Sequence, residues 1–122
     1  MKHKLQLFLT VIILAAVSCN KENKTPKLED ALVFSETQCA DPWAMDVSRT
    51  GKDFNKQLKT WLQTKTNVAI LTAKRDVIPE KIQLCAACTC LTGNTIYVWV
   101  PKGSEQAFLD MGFTRATKTQ PE

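Results

Sequence analysis

The sequence predicts a small two-layer α+β domain of three to four strands with two helices on one face, stapled by disulfides. Three observations lead there. Thr95–Val100 alternates, with Ile96, Val98 and Val100 on one face and Tyr97 and Trp99 on the other, as a strand requires. Phe54, Leu58, Trp61 and Leu62 recur at helical spacing and give one apolar stripe. Cys39, Cys85, Cys88 and Cys90 supply an even set of thiols to a body of modest size, where covalent staples help most.

The elements follow in chain order. Ala31–Glu36 (ALVFSE) is a short apolar run with Val and Phe and reads as a strand. Asp41-Pro42 then breaks regular structure, so 37–43 reads as a loop and 44–51 as irregular. Asp53–Thr64 is the first helix, with Lys52, Lys56, Lys59 and Gln63 toward water. The β-branched content of Asn67–Ile78 predicts a strand, buried early through VAIL and exposed later, ended by Pro79. If this strand neighboured the first in parallel, the helix between them would be a right-handed crossover.

Lys81–Cys90 (KIQLCAACTC) fits a short strand or a tight loop, and Thr92-Gly93-Asn94 is a turn signal. Thr95–Val100 is the clearest strand, closed by Pro101. Ser104 is placed to cap a second helix running to Met111. Gly112 fits the left-handed position after that helix, with Phe113 folding back on its last turn. Thr114–Ala116 adds a short edge strand, and the tail from 118 to 122 reads as frayed.

The first 27 residues have a different character. Met1–Lys4 is short and basic, and Leu5–Val17 is apolar but for Gln6 and Thr10. Such a run is short for a membrane span, which needs about 20 apolar residues, and has the length of an export-signal core. Small residues then precede a cysteine in Ala16-Val17-Ser18-Cys19. This resembles the lipobox of bacterial lipoproteins. Ser18 and Cys19 match it, while Ala16 stands where leucine is commoner. The resemblance implies that residues 1–18 are a signal peptide and that Cys19 is lipidated and anchors the chain in a membrane. Asn20–Pro26 is polar and charged, so 19–27 reads as the lipidated cysteine and a flexible tether, leaving 28–117 as the domain. Lys21-Glu22 is similar to the charged signal that sends some Bacteroidota lipoproteins to the cell surface. The expected location is therefore the cell envelope, at the outer membrane, facing the periplasm or the exterior.

The formal charge of +4 belongs to these leading segments. Of 16 basic and 12 acidic residues, the body from Leu28 onward holds eleven of each. A neutral body has no electrostatic footprint for nucleic acid. His3 is the only histidine and lies in the export signal, so no Ser-His-Asp or Cys-His pair can form in the body. With only four glycines there is no Gly-rich phosphate loop. No catalytic residue is expected, and no cofactor.

The cysteines leave three chemistries open. In an oxidising compartment they pair. A Cys88–Cys90 bond would close a very small, strained ring, which disfavours its complement Cys39–Cys85. Cys39–Cys88 with Cys85–Cys90, and Cys39–Cys90 with Cys85–Cys88, both remain. Alternatively, four thiolates bind Zn(II) or three bind Cu(I), though Cys39 lacks the second Cys-x-x-Cys knuckle of structural zinc sites. Met45 and Met111 are soft donors but read as ordinary apolar residues. Third, Cys85-Ala86-Ala87-Cys88 has the spacing of a thiol–disulfide exchange site, without the strand-to-helix setting that activates one.

Glu36, Asp41 and Asp46 flank Cys39 without convergent spacing and read as solvated loop charges, with Asp41 free to bond backbone N–H groups of its turn. Trp43, Tyr97 and Trp99 are the expected binding surface, exposed on the sheet face that the helices leave open, or else closed into a second small core by the Trp43 loop. The expected function is a lipid-anchored, non-catalytic binding or interaction module with an envelope protein partner; the alternative is a metal-binding or redox protein.

Overall fold

The computed structural model describes residues 26–117. The expected export signal and Cys19 lie outside these residues, as does the tail. The described chain forms β1 (Leu32–Thr37), α1 (Phe54–Thr66), β2 (Thr72–Val77), β3 (Leu91–Trp99), α2 (Gln106–Asp110) and β4 (Thr114–Arg115), with single 3-10 turns at Leu28–Asp30 and Pro79–Lys81. The strands make one sheet in the order β2-β3-β1-β4, every neighbouring pair antiparallel. This is an α+β domain with both helices on one face, as the sequence predicts.

Strand alternation decides the two faces. Leu32, Ile96 and Val98 point to the helix side, where they meet Phe54, Leu58 and Leu62 of α1 and Phe108 of α2. The loop after β1 contributes Trp43 and Val47 to the same core. Phe34 stacks at a tilt on Trp43 at 4.8 Å between ring centroids, and Phe113 meets Phe34 at 5.2 Å. On the opposite face Ala31, Val33, Tyr97 and Trp99 form a smaller cluster, flanked by Leu28 and Ala116. Trp99 donates its indole N–H to the Lys27 carbonyl at 2.9 Å, tying the start of the domain to the end of β3.

The end of α2 is built as its sequence predicts. Gly112 adopts φ 98°, its N–H bonds the Leu109 carbonyl at 3.0 Å, and the Phe113 N–H reaches the Phe108 carbonyl at 3.0 Å. This is the Schellman pattern, and the Phe108 and Phe113 rings meet edge to face at 5.7 Å. Ser104 is not its cap: Glu105 holds that position, with no side-chain cap bond, and accepts instead from the Gly103 N–H.

Three expectations about strands are corrected. Residues 68–71 are not strand. Asn67 ends α1 in the left-handed region, and VAIL carries the chain from the helix layer down to the sheet. Ile70 is buried in the core, and its N–H bonds the Gln63 side chain of α1 at 3.0 Å, so Gln63 does not simply face water. The strand proper is the polar TAKRDV, an edge strand. β1 and β2 do point the same way, but β3 lies between them, so no parallel crossover forms.

The turn signal Thr92-Gly93-Asn94 does not turn the chain back. It lies inside β3, where the register jumps from Ser35↔Thr95 to Thr37↔Leu91, leaving Glu36 opposite three residues. Gly93 takes φ 86°, and its carbonyl accepts from the Ile78 N–H at 2.7 Å. The same residue types that close a hairpin are used to bend a continuous strand.

Candidate binding site at the disulfide pole

β3 runs between two unlike ends. At its Trp99 end stands Lys27, just ahead of the first 3-10 turn. At its Leu91 end the cysteines gather. The sulfurs pair as Cys39–Cys88 and Cys85–Cys90, one of the two connectivities the spacing leaves open. Backbone bonds run beside them: Gln38 N–H to the Cys90 carbonyl at 2.8 Å and Cys39 N–H to the Cys88 carbonyl at 3.1 Å. The chain beyond β1 is thus laced to the segment before β3 both covalently and by backbone pairing.

Residues 82–90 are a loop, the tighter of the two forms the sequence allows. Gln83 fixes it at the base: its N–H donates to the Leu91 carbonyl at 3.0 Å, and its side-chain oxygen accepts from the Leu91 N–H at 2.9 Å. The Cys85 N–H reaches the Gln83 carbonyl at 3.1 Å. Cys90 is buried, whereas Cys39, Cys85 and Cys88 are exposed. Leu84 is 99% exposed, and Ile82 and Val77 beside the loop are also open to solvent.

Two buried ion pairs brace this pole, where solvated loop charges were expected. Asp41 accepts from the Thr37 N–H at 2.8 Å and the Thr37 hydroxyl at 2.7 Å, the local turn role foreseen for it, and pairs with Arg49 at 2.9 Å. Arg49 also donates to the carbonyls of Thr37 and Gln38. Burial raises the Asp41 carboxyl above its ordinary range, against the lowering effect of the Thr37 bonds and the Arg49 charge. Glu36, 1% exposed, meets Arg75 at 2.7 Å and the Asn94 side-chain amide at 3.2 Å, while Arg75 lies over the Phe54 ring at 4.3 Å. Asp46 accepts from the Trp61 indole at 2.7 Å. These carboxylates are engaged separately, and no group of three metal-ligating side chains converges among the described residues.

The expected aromatic surface is corrected. Trp43 is 0% exposed and belongs to the helix-side core, while Tyr97 and Trp99 are 4% and 7% exposed on the opposite face. The sheet separates them, so they form neither one surface nor one second core. The Trp43 loop turns to the helix side because Asp41 and Arg49 fold it back against β1. Burial also pushes the Tyr97 phenol up. Met45 is almost fully exposed and Met111 packs against the core.

Two concavities lie elsewhere. A cleft of about 670 Å³ at the Trp99 end of β3 is lined by Leu71, Trp99, Val100, Lys102, Glu105 and Arg115. A groove of about 500 Å³ runs along α1 beside Trp61 and Lys65. No helix among the described residues is long and apolar enough to cross a membrane.

Sequence reasoning missed Leu84 as a surface residue and Arg49 and Arg75 as braces. A signal for Leu84 was present. It is a large apolar residue inside a cysteine-rich loop, where neither strand nor helix periodicity gives it a core to enter.

The chain matches no protein-family model, no curated protein and no solved structure.

Proposed function

We propose that this chain is a lipid-anchored binding or interaction module of a bacterial envelope, without catalytic chemistry of its own. Cys19 carries the anchor and residues 20–27 the tether. The observation that supports the binding reading is the loop at 82–90: two disulfides fix it, and it presents apolar side chains to solvent. With all four body sulfurs in S–S bonds, none is a thiolate ligand, so the metal alternative requires reduction first, and the Cys85-Ala86-Ala87-Cys88 pair of the exchange alternative is divided between two separate bonds. A histidine-free body offers no general base of the usual kind near neutral pH.

The test is a thiol count with mass measurement on the mature protein, unfolded in chelator. No alkylation before reduction, and four alkylations after it, support the module. Four free thiols with a co-purifying metal would overturn it in favour of a metal-binding protein. For the anchor, Cys19→Ala should remove the acyl mass and release the protein from the membrane fraction. Unchanged membrane association would count against lipidation at Cys19.

A further inference from the structure

We propose that β2 is a self-association edge: it pairs antiparallel with β2 of a second copy of this chain, joining two four-stranded sheets into one continuous sheet. This goes beyond the binding-module reading and rests on neither the anchor nor the cysteine loop.

The first observation is the backbone. β2 stands at one edge of the sheet and pairs with β3 on its inner side only. The Ile78 N–H bonds the Gly93 carbonyl at 2.7 Å, and the antiparallel register carries that phase back along the strand. Thr72, Lys74 and Asp76 thus turn their N–H and carbonyl groups to β3, while Ala73, Arg75 and Val77 turn theirs outward. Among the described residues none takes up these outward groups. Such a row is a template for a further strand. The opposite edge differs, because β4 is two residues long and presents almost no row to extend.

The second observation is the charge pattern, which selects a second copy as the occupant. Lys74 and Asp76 share one face of β2 and pair with each other at 2.7 Å. A two-fold axis at Arg75 places Lys74 opposite Asp76 of the second copy, and Asp76 opposite its Lys74. A square of alternating charges results. Moving the axis to residue 74 sets Lys74 against Lys74, and moving it to residue 76 sets Asp76 against Asp76. Of these three registers only the first is complementary, and in it the outward groups close about six N–H···O bonds. On the other face Val77, 63% exposed, comes to lie beside Ala73 of the second copy, a residue that packs against its own core. Arg75 meets its counterpart at the axis, but each guanidinium is drawn back to its own Glu36 at 2.7 Å and lies over its own Phe54 ring. A lysine alone on an edge strand repels another edge. Here Asp76, two residues on, turns that repulsion into a choice of register.

For the test, the full-length chain is purified in neutral detergent in two batches, one with a donor and one with an acceptor dye at the C-terminus. Energy transfer is followed over a protein concentration series with micelles in constant excess. In the joined sheet the two copies of β4 stand roughly 34 Å apart, within reach of such dyes. Transfer should rise to saturation, with a dissociation constant in the micromolar range because the contact is one short strand. Lys74→Asp and Asp76→Lys should each weaken self-association about 10- to 30-fold, since each sets like charges in both cross-strand pairs. Mixed with one another, the two variants should associate as the wild type does, because each supplies the charges the other lacks. That rescue also excludes misfolding as the cause of the loss, as does unchanged circular dichroism. Wild-type transfer no higher than random sharing of micelles would overturn the proposal, and is the result expected if a foreign strand takes this edge instead. Wild-type affinity in either single variant, or a mixture no better than its components, would overturn it as well.

Discussion

The two ends of β3 are held by different physics. Around Trp99 the chain is secured by packing: α2 and its Schellman turn press Phe108 and Phe113 onto the sheet, and Trp99 hooks the incoming chain at Lys27. Around Leu91 little apolar area is available. Cys90 is the only residue of 82–90 that is buried, and the segment is held by two S–S bonds, a glutamine clasp and two buried ion pairs. The lesson concerns small domains. Apolar side chains cannot both fill a core and face a partner, so an end that displays them needs its order from somewhere else.

Substitutions at the two ends should therefore fail differently. The largest effect is expected at the packed end. Phe108→Ala removes a fully buried ring and should lower stability by about 3–5 kcal/mol in denaturant titration. A loss well under 2 kcal/mol would mean that packing is not what holds this end. Next comes the covalent end. Cys39→Ser/Cys88→Ser opens a bridge spanning 49 residues and should cost about 4 kcal/mol in the chain-entropy picture. Amide exchange should speed up most around Thr37–Ala40 and residues 82–90, with Phe108 and its neighbours still protected. Uniform loss of protection would erase the distinction between the ends.

A smaller change is expected from Gly93→Ala. The residue needs φ 86°, and a methyl group would press on the Ile82 side chain and lie 3.2 Å from the Ile78 carbonyl. A loss of about 2 kcal/mol should result, partly restored when Ile82→Ala is added, as thermal melts of the two variants can decide. The smallest effect is a pH slope at Asp41. Its carboxyl titrates above its ordinary 3.8 because burial disfavours the charge. The folded state thus holds this proton more tightly than the unfolded chain does. Its contribution makes stability fall as pH rises from that ordinary value through the raised one, and is level above it. Asp41→Asn should flatten that part of the stability–pH curve, whatever its effect on absolute stability.

Much of the packed end was legible in the sequence, and less of the covalent end. Ile96 and Val98 alternate with Tyr97 and Trp99 because one strand serves two faces, and the period alone reveals it. Gly112-Phe113 encodes a helix stop locally. The cysteines could be narrowed to two pairings by ring size, but the choice between them depends on how residues 85–90 fold, which local propensity does not fix. VAIL misled because its β-branched residues serve a descent from helix to sheet, where only Ile70 is fully buried. Thr-Gly-Asn misled because a bulge and a hairpin need the same left-handed glycine. The aromatic trio misled because Trp43 lies on a loop, whose side of the sheet is set by a tertiary pairing of Asp41 with Arg49 some residues on. Glu36 looked solvated because its partner Arg75 is 39 residues away.

The placement of Cys39–Cys88 also has a mechanical meaning. A tug between Lys27 and the cysteine loop runs along β1, crosses the sulfur bridge from Cys39 to Cys88 and continues to Cys85 and Leu84. Residues 40–83, with α1 and β2, hang on this line as a side branch. Tension between Lys27 and the loop tip is therefore carried through the sulfur bridge, and α1 and β2 lie off the loaded path.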